Sequence, residues 1–97
     1  MPPQWLFDKW KHQDEAIMAI RRISERKQAE KIEPARATWR ELRDVLSPGA
    51  WKELELLIRG GYIKVYEAIN FDTYEVDNYA VAELWNSRNK KPSFLGG

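Results

Sequence analysis

Between Thr38 and Tyr66 the apolar positions recur first at helical and then at strand spacing, and the change of period marks out three elements. Thr38 and Glu41 have the spacing of a capping box, in which the hydroxyl accepts from a first-turn amide and the Glu reaches back to the cap amide. A helix is therefore expected from Trp39. Trp39, Leu42 and Leu46 stand at i, i+3 and i+7 with Val45 alongside, which predicts one apolar stripe and a buried Trp39. Ser47 ends that run and caps the next helix, because Pro48 has no amide proton to lose and its fixed φ suits the first helical position. At about 100° per residue, Ala50, Trp51, Leu57 and Ile58 fall within about 60° of Leu54 and form the expected buried face. Gly49, Lys52, Leu56 and Arg59 fall opposite, flanked by Glu53 and Glu55.

Gly60 and Gly61 can take the positive φ that closes a helix. From Tyr62 to Ile69 the pattern alternates, with Ile63, Val65 and Ile69 on one side and Tyr62, Lys64 and Tyr66 on the other, as in a half-buried strand. Asn70, Phe71 and Asp72 can turn the chain, and Thr73 to Val76 can return it as a second strand. Upstream, Asp14 is expected to cap a helix running to about Lys31, with Ile17, Ile20 and Ile23 inside and Arg21, Arg22, Arg26 and Lys27 outside. Residues 33–37 break it and can add a very short strand before Thr38. Downstream, Asn78 can cap a last helix through about Arg88, with Val81, Leu84 and Trp85 on its apolar side. The expected fold is α+β and mostly helical. Residues 1–13 form an aromatic N-terminal segment, 14–77 the core, 78–88 a C-terminal helix and 89–97 a mobile basic tail.

The capped pair Thr38, Glu41 and Leu42, then Ser47 four residues before Trp51, then Leu54 and Ile58, and finally Gly61-Tyr62-Ile63 entering a hairpin, resemble the winged helix-turn-helix domains of transcriptional regulators. The resemblance covers roughly residues 14–77. It implies that the helix Pro48 to Arg59 enters the major groove of double-stranded DNA. In that setting Gly49 allows close approach at the helix start, Lys52 bonds a guanine edge or a phosphate, Leu56 meets a thymine methyl, and Arg59 holds the backbone. Arg36, Arg40 and Arg43 position the first helix on phosphates, and Lys64 adds a contact from the wing. Helices flanking such a domain often dimerise, and the cluster Trp5, Leu6, Phe7 and Trp10 needs cover from its own core or a second subunit. A small dimeric transcriptional regulator with sequence-specific DNA binding is the function this resemblance implies.

Charge adds a second expectation. Residues 1–46 hold ten Lys and Arg against eight Asp and Glu, residues 47–87 hold three against seven, and residues 88–97 hold three against none. Positive charge for DNA phosphates must then come from the first helices and the tail. Glu53 and Glu55 beside the presented face, Leu56 exposed upon it, and Glu67, Asp72 and Glu75 in the wing suit a protein partner instead. The alternative expectation is a winged helix serving protein–protein interaction in a replication, transcription or viral assembly.

Other chemistry is poorly supplied. The 97 residues contain no Cys and one His, so there is no thiolate nucleophile or thiolate metal site, and no Gly-rich phosphate loop occurs. No enzyme activity, cofactor or metal is expected, and His12 reads as a surface residue. No stretch approaches the roughly 20 apolar residues of a membrane span, and the start lacks the pattern of a signal peptide. A cytoplasmic, intracellular setting is expected. Five Trp are numerous for this length, and Trp39 and Trp51 are assigned to the core by their helical phase.

Overall fold

The computed structural model describes residues 2–89, in the order α1 (Gln4–Ala29), β1 (Ala37–Thr38), α2 (Trp39–Val45), α3 (Pro48–Arg59), β2 (Ile63–Tyr66), β3 (Thr73–Val76) and α4 (Asn78–Asn89). The strands form one antiparallel sheet in the order β1-β3-β2. Val65 pairs with Tyr74 and Ile63 with Val76, while Ala37 pairs with Tyr74 from the other edge. The fold is thus α+β and mostly helical, with a small sheet. Among the described residues no helix is long and apolar enough to cross a membrane.

α1 is the frame. It packs most extensively on α3 and also reaches β3, β1 and α2. Ala16, Ile17, Ile20 and Ile23 provide its buried side, against Leu42 of α2, Leu54 and Leu57 of α3, Ile63, Tyr74 and Val76 of the sheet, and Val81 of α4. The helix expected from Asp14 begins instead at Gln4, straight after Pro3. Two contacts far along the chain hold those extra turns: Lys9 and Gln13 both donate to Glu53 of α3, and Trp10 lies under the Arg88 guanidinium. Asp14, expected as a cap, accepts from Trp85 Nε1 and Arg88 of α4. The cap of α4 is likewise Asp77 rather than Asn78, since Asp77 Oδ1 accepts from the Ala80 amide while Asn78 Oδ1 accepts from Arg21.

The two short helices are fastened to α1 at their beginnings. At α2 the capping box is complete: Thr38 Oγ1 accepts from the Glu41 amide, and Glu41 accepts from the Thr38 amide. Lys27 of α1, buried, donates to Glu41 at 2.7 Å and to the Arg36 carbonyl at 2.8 Å, and Arg26 pairs with the other Glu41 oxygen. At α3, Ser47 Oγ accepts from the Ala50 amide, while both the Ser47 amide and hydroxyl donate to Glu15 of α1, at 2.7 and 2.9 Å. Gly61, at φ +83°, closes α3, with the Tyr62 amide donating back to the Leu57 carbonyl.

Burial, taken alone, pushes the Glu41 carboxyl up. The hydrogen bonds from Lys27 and from the Thr38 amide and hydroxyl, with the Lys27 charge, outweigh it and hold the pKa at about 2, against an ordinary 4.5.

Candidate nucleic-acid interface

α3 separates its two sides sharply. Ala50, Glu53, Leu54 and Leu57 are buried, whereas Lys52, Glu55, Leu56 and Arg59 are exposed. The sequence pattern placed Glu53 beside the presented face; it lies instead on the α1 side, where Lys9 reaches it at 2.8 Å. Its charge is neutralised within the packing of α1 on α3. Trp51 and Ile58 are half-buried at the border.

Trp39 departs further from expectation. It is 42% exposed rather than buried, because α2 ends at Val45 and the stripe drawn through Leu46 is never completed within the helix. Leu42 alone is buried in α2. Trp39 meets Trp51 edge to face, with ring centroids 5.9 Å apart, and the Arg43 guanidinium lies over it at 5.0 Å. This aromatic contact joins the outer sides of α2 and α3.

The expected contact residues divide into two groups. Arg40, Arg43, Lys52, Leu56 and Arg59 are all exposed on α2 and α3. Arg40 and Lys52 have no ion-pair partner among the described residues; Arg43 stands 3.6 Å from Asp44, and Arg59 pairs with Glu55 at 2.9 Å. Arg36 and Gly49 are engaged within the fold, and Lys64 is exposed on β2. Arg36 is half-buried, donating from Nε to Thr73 Oγ1 at 2.9 Å with its guanidinium 4.1 Å over Tyr66. Lys64 lies 3.8 Å from Asp77 at the start of α4. Gly49 is half-buried beneath His12, and a Cβ there would come within 2.5 Å of His12 Nε2. Gly49 therefore makes room for an imidazole of this chain.

His12 is accordingly not a surface residue. It is half-buried, and its buried Nδ1 has no hydrogen-bond partner among the described residues. No group of three or more His, Asp or Glu positioned to hold a metal occurs among them. The basic cluster of α1 is also largely committed: Lys27 and Arg26 to Glu41, and Arg21 to Asn78 and the face of Trp85. Arg22 alone of the four remains exposed without an ion pair among the described residues.

A cleft that the sequence did not announce opens between the start of α2 and the β2–β3 loop. It has a volume of about 650 Å³ and is lined by Thr38, Trp39 and Arg40 on one side and Ala68, Asn70, Phe71 and Asp72 on the other. Phe71 is 52% exposed, and Ile69 is wholly exposed. The expected strand to Ile69 stops at Tyr66, since β3 offers only Thr73 to Val76 for pairing. The one sequence signal for the cleft is Phe71, an aromatic residue between Asn70 and Asp72 in the turn.

Comparisons with known proteins return nothing: no family model matches the chain, and no curated protein and no solved structure matches it.

Proposed function

We propose that this chain is a winged helix-turn-helix domain that binds double-stranded DNA sequence-specifically, as a small dimeric transcriptional regulator. One observation carries the reading: the element order α1-β1-α2-α3-β2-β3, with the sheet arranged β1-β3-β2, leaves α3 with one uncovered side bearing Lys52, Leu56 and Arg59. In the major groove, Lys52 bonds a guanine edge or a phosphate, Leu56 contacts a thymine methyl and Arg59 holds the backbone. Arg40 and Arg43 on α2 meet adjacent phosphates. Arg36 and Gly49 leave the contact set for the structural duties described above, while Lys64, exposed on β2, adds a contact from the wing. With Glu53 turned toward α1, the helix carries one acidic side chain on this side, Glu55, and it is paired with Arg59.

The test is fluorescence polarisation of the full chain against a pool of random duplexes at two salt concentrations. Binding through phosphates must weaken as salt rises, with a slope set by the number of phosphates neutralised. Binding that is absent, or indifferent to salt, overturns the proposal. The dimer rests on Trp5 and Phe7, exposed at the start of α1, and Tyr79, exposed on α4. Sedimentation equilibrium at micromolar concentration tests it, and a monomer mass independent of concentration removes that part.

A second reading has its own support. Leu56 is 42% exposed, and the neighbouring Arg59 is already satisfied by Glu55, which suits an apolar anchor with a neutral rim for a protein partner. If this reading holds, Leu56→Asp abolishes partner capture and leaves duplex affinity unchanged.

A further inference from the structure

The cleft between α2 and the β2–β3 loop shares only Arg40 with the duplex contacts proposed above, and its lining is specific in character. Its volume of about 650 Å³ lies within the roughly 300–1,000 Å³ typical of small-ligand sites. Two aromatic rings, Trp39 and Phe71, come from opposite walls, each substantially exposed. Beside Phe71 on the loop wall stand an amide, Asn70, and a carboxylate, Asp72, and neither side chain has a hydrogen-bond partner among the described residues. Arg40 stands on the α2 wall. The Thr38 hydroxyl, also at the wall, is committed to Glu41.

These groups narrow the occupant. A purely apolar side chain would leave Asn70 and Asp72 desolvated without partners, which is unfavourable. A cation between aromatic rings is disfavoured by Arg40 in the lining and by Arg43, already stacked on Trp39. A flat, polar-edged, weakly charged ring attached to a phosphate meets every group present. The ring faces stack on Trp39 or Phe71, the edge bonds Asn70 and Asp72, and the phosphate is met by Arg40. A carboxylate is an acceptor only. Of the four bases, guanine offers it two adjacent donors, N1–H and the N2 amino group. That edge is occupied in a paired base and is free only when the base is unpaired.

We infer that this cleft is a binding site for a single unpaired nucleobase, guanine by preference, so that the protein recognises duplex DNA carrying an extrahelical base beside the groove read by α3. The inference rests on the nucleic-acid reading of the α2–α3 surface. It adds a ligand site formed by the wing loop, with Phe71 as the stacking platform and Asn70 and Asp72 as the groups that read the base.

The test compares a labelled blunt duplex with the same duplex bearing one unpaired guanine, by fluorescence polarisation on the full chain. One stacked base strengthens binding by about tenfold, so the bulged duplex is expected to bind about tenfold more tightly. An unpaired guanine is expected to exceed an unpaired adenine, cytosine or thymine. Phe71→Ala and Asn70→Ala should each reduce that advantage and leave blunt-duplex affinity and the thermal melting curve unchanged. Equal affinity for blunt and bulged duplexes overturns the inference while the duplex reading stands. Retention of the advantage in folded Phe71→Ala also overturns it, because the base then sits elsewhere. Binding to the bulged duplex alone supports the cleft and defeats the duplex reading. Binding to neither removes both.

Discussion

Glu53 and Glu55 are two residues apart on one helix, yet they belong to opposite environments. Glu53 is buried and receives Lys9 and Gln13 from α1, whereas Glu55 is exposed and pairs with Arg59 within α3. The first is part of the packing between α1 and α3; the second is part of a surface open to a partner. Formal charge along a helix therefore says little about the field of its outer face until the partner of each carboxylate is known.

Substitutions on the two sides should separate by magnitude. Leu57→Ala on the inner side is expected to lower the unfolding free energy by roughly 2–5 kcal/mol, read by urea denaturation, whereas exposed Leu56→Ala should stay within about 0.5 kcal/mol of the parent. A shift of equal size in both would erase the distinction between the faces. Next comes Glu53→Lys, which sets a cation against Lys9 in a site where the Glu53 side chain is only 10% exposed. It should cost roughly 3 kcal/mol by the same measurement. Glu55→Lys should leave stability nearly unchanged and strengthen nonspecific duplex binding. If Glu53→Lys instead folds normally and tightens binding, Glu53 faces outward.

A third contrast lies at the start of α2 and is read by pH. The Glu41 pKa in the folded chain, about 2, is below its ordinary 4.5. Its ionised form stabilises the fold fully above about pH 4.5, and this contribution is lost as pH falls toward and through about 2. Glu41→Gln should therefore be less stable than the parent at neutral pH, with the gap closing across that acid window in pH-dependent melts. A gap that stays constant would mean that Glu41 is not ionised against Lys27. The smallest effect on stability belongs to Lys52→Ala, expected to be nil. If Lys52 reads a base, the loss appears as roughly 1–3 kcal/mol of discrimination at one base pair in competition binding.

The readable parts of the chain were those whose partners are close in sequence. Thr38 and Glu41 satisfy one another within a single turn, Ser47 and Pro48 start α3 where expected, and Gly61 closes it. β3 occupies the expected Thr73 to Val76, and the brief strand before α2 is Ala37–Thr38. What escaped the reading depends on distant neighbours. The early turns of α1 are held by Glu53 and Arg88, the burial of Lys27 depends on Glu41 and the Arg36 carbonyl, and Arg36 itself is held by Tyr66 and Thr73. Periodicity also misplaced Trp39, because a seven-residue helix is too short for a stripe to specify which side is covered. Of the site, the outer face of α3 was legible and the cleft was not, since its walls come from segments some thirty residues apart. The expected basic tail beyond Asn89 lies outside the described residues.

The seat of His12 against Gly49 also bears on how the sequence can change by descent. A glycine near the start of a helix is replaced by alanine with a gain of up to about 1 kcal/mol wherever space allows. Here the added methyl would meet the imidazole, at 2.5 Å from Nε2, so the ring must leave its place first. The two positions are thus coupled: exchanging His12 for a smaller residue opens the space that an alanine at position 49 needs, while with the imidazole kept the ring has to swing aside to admit the methyl.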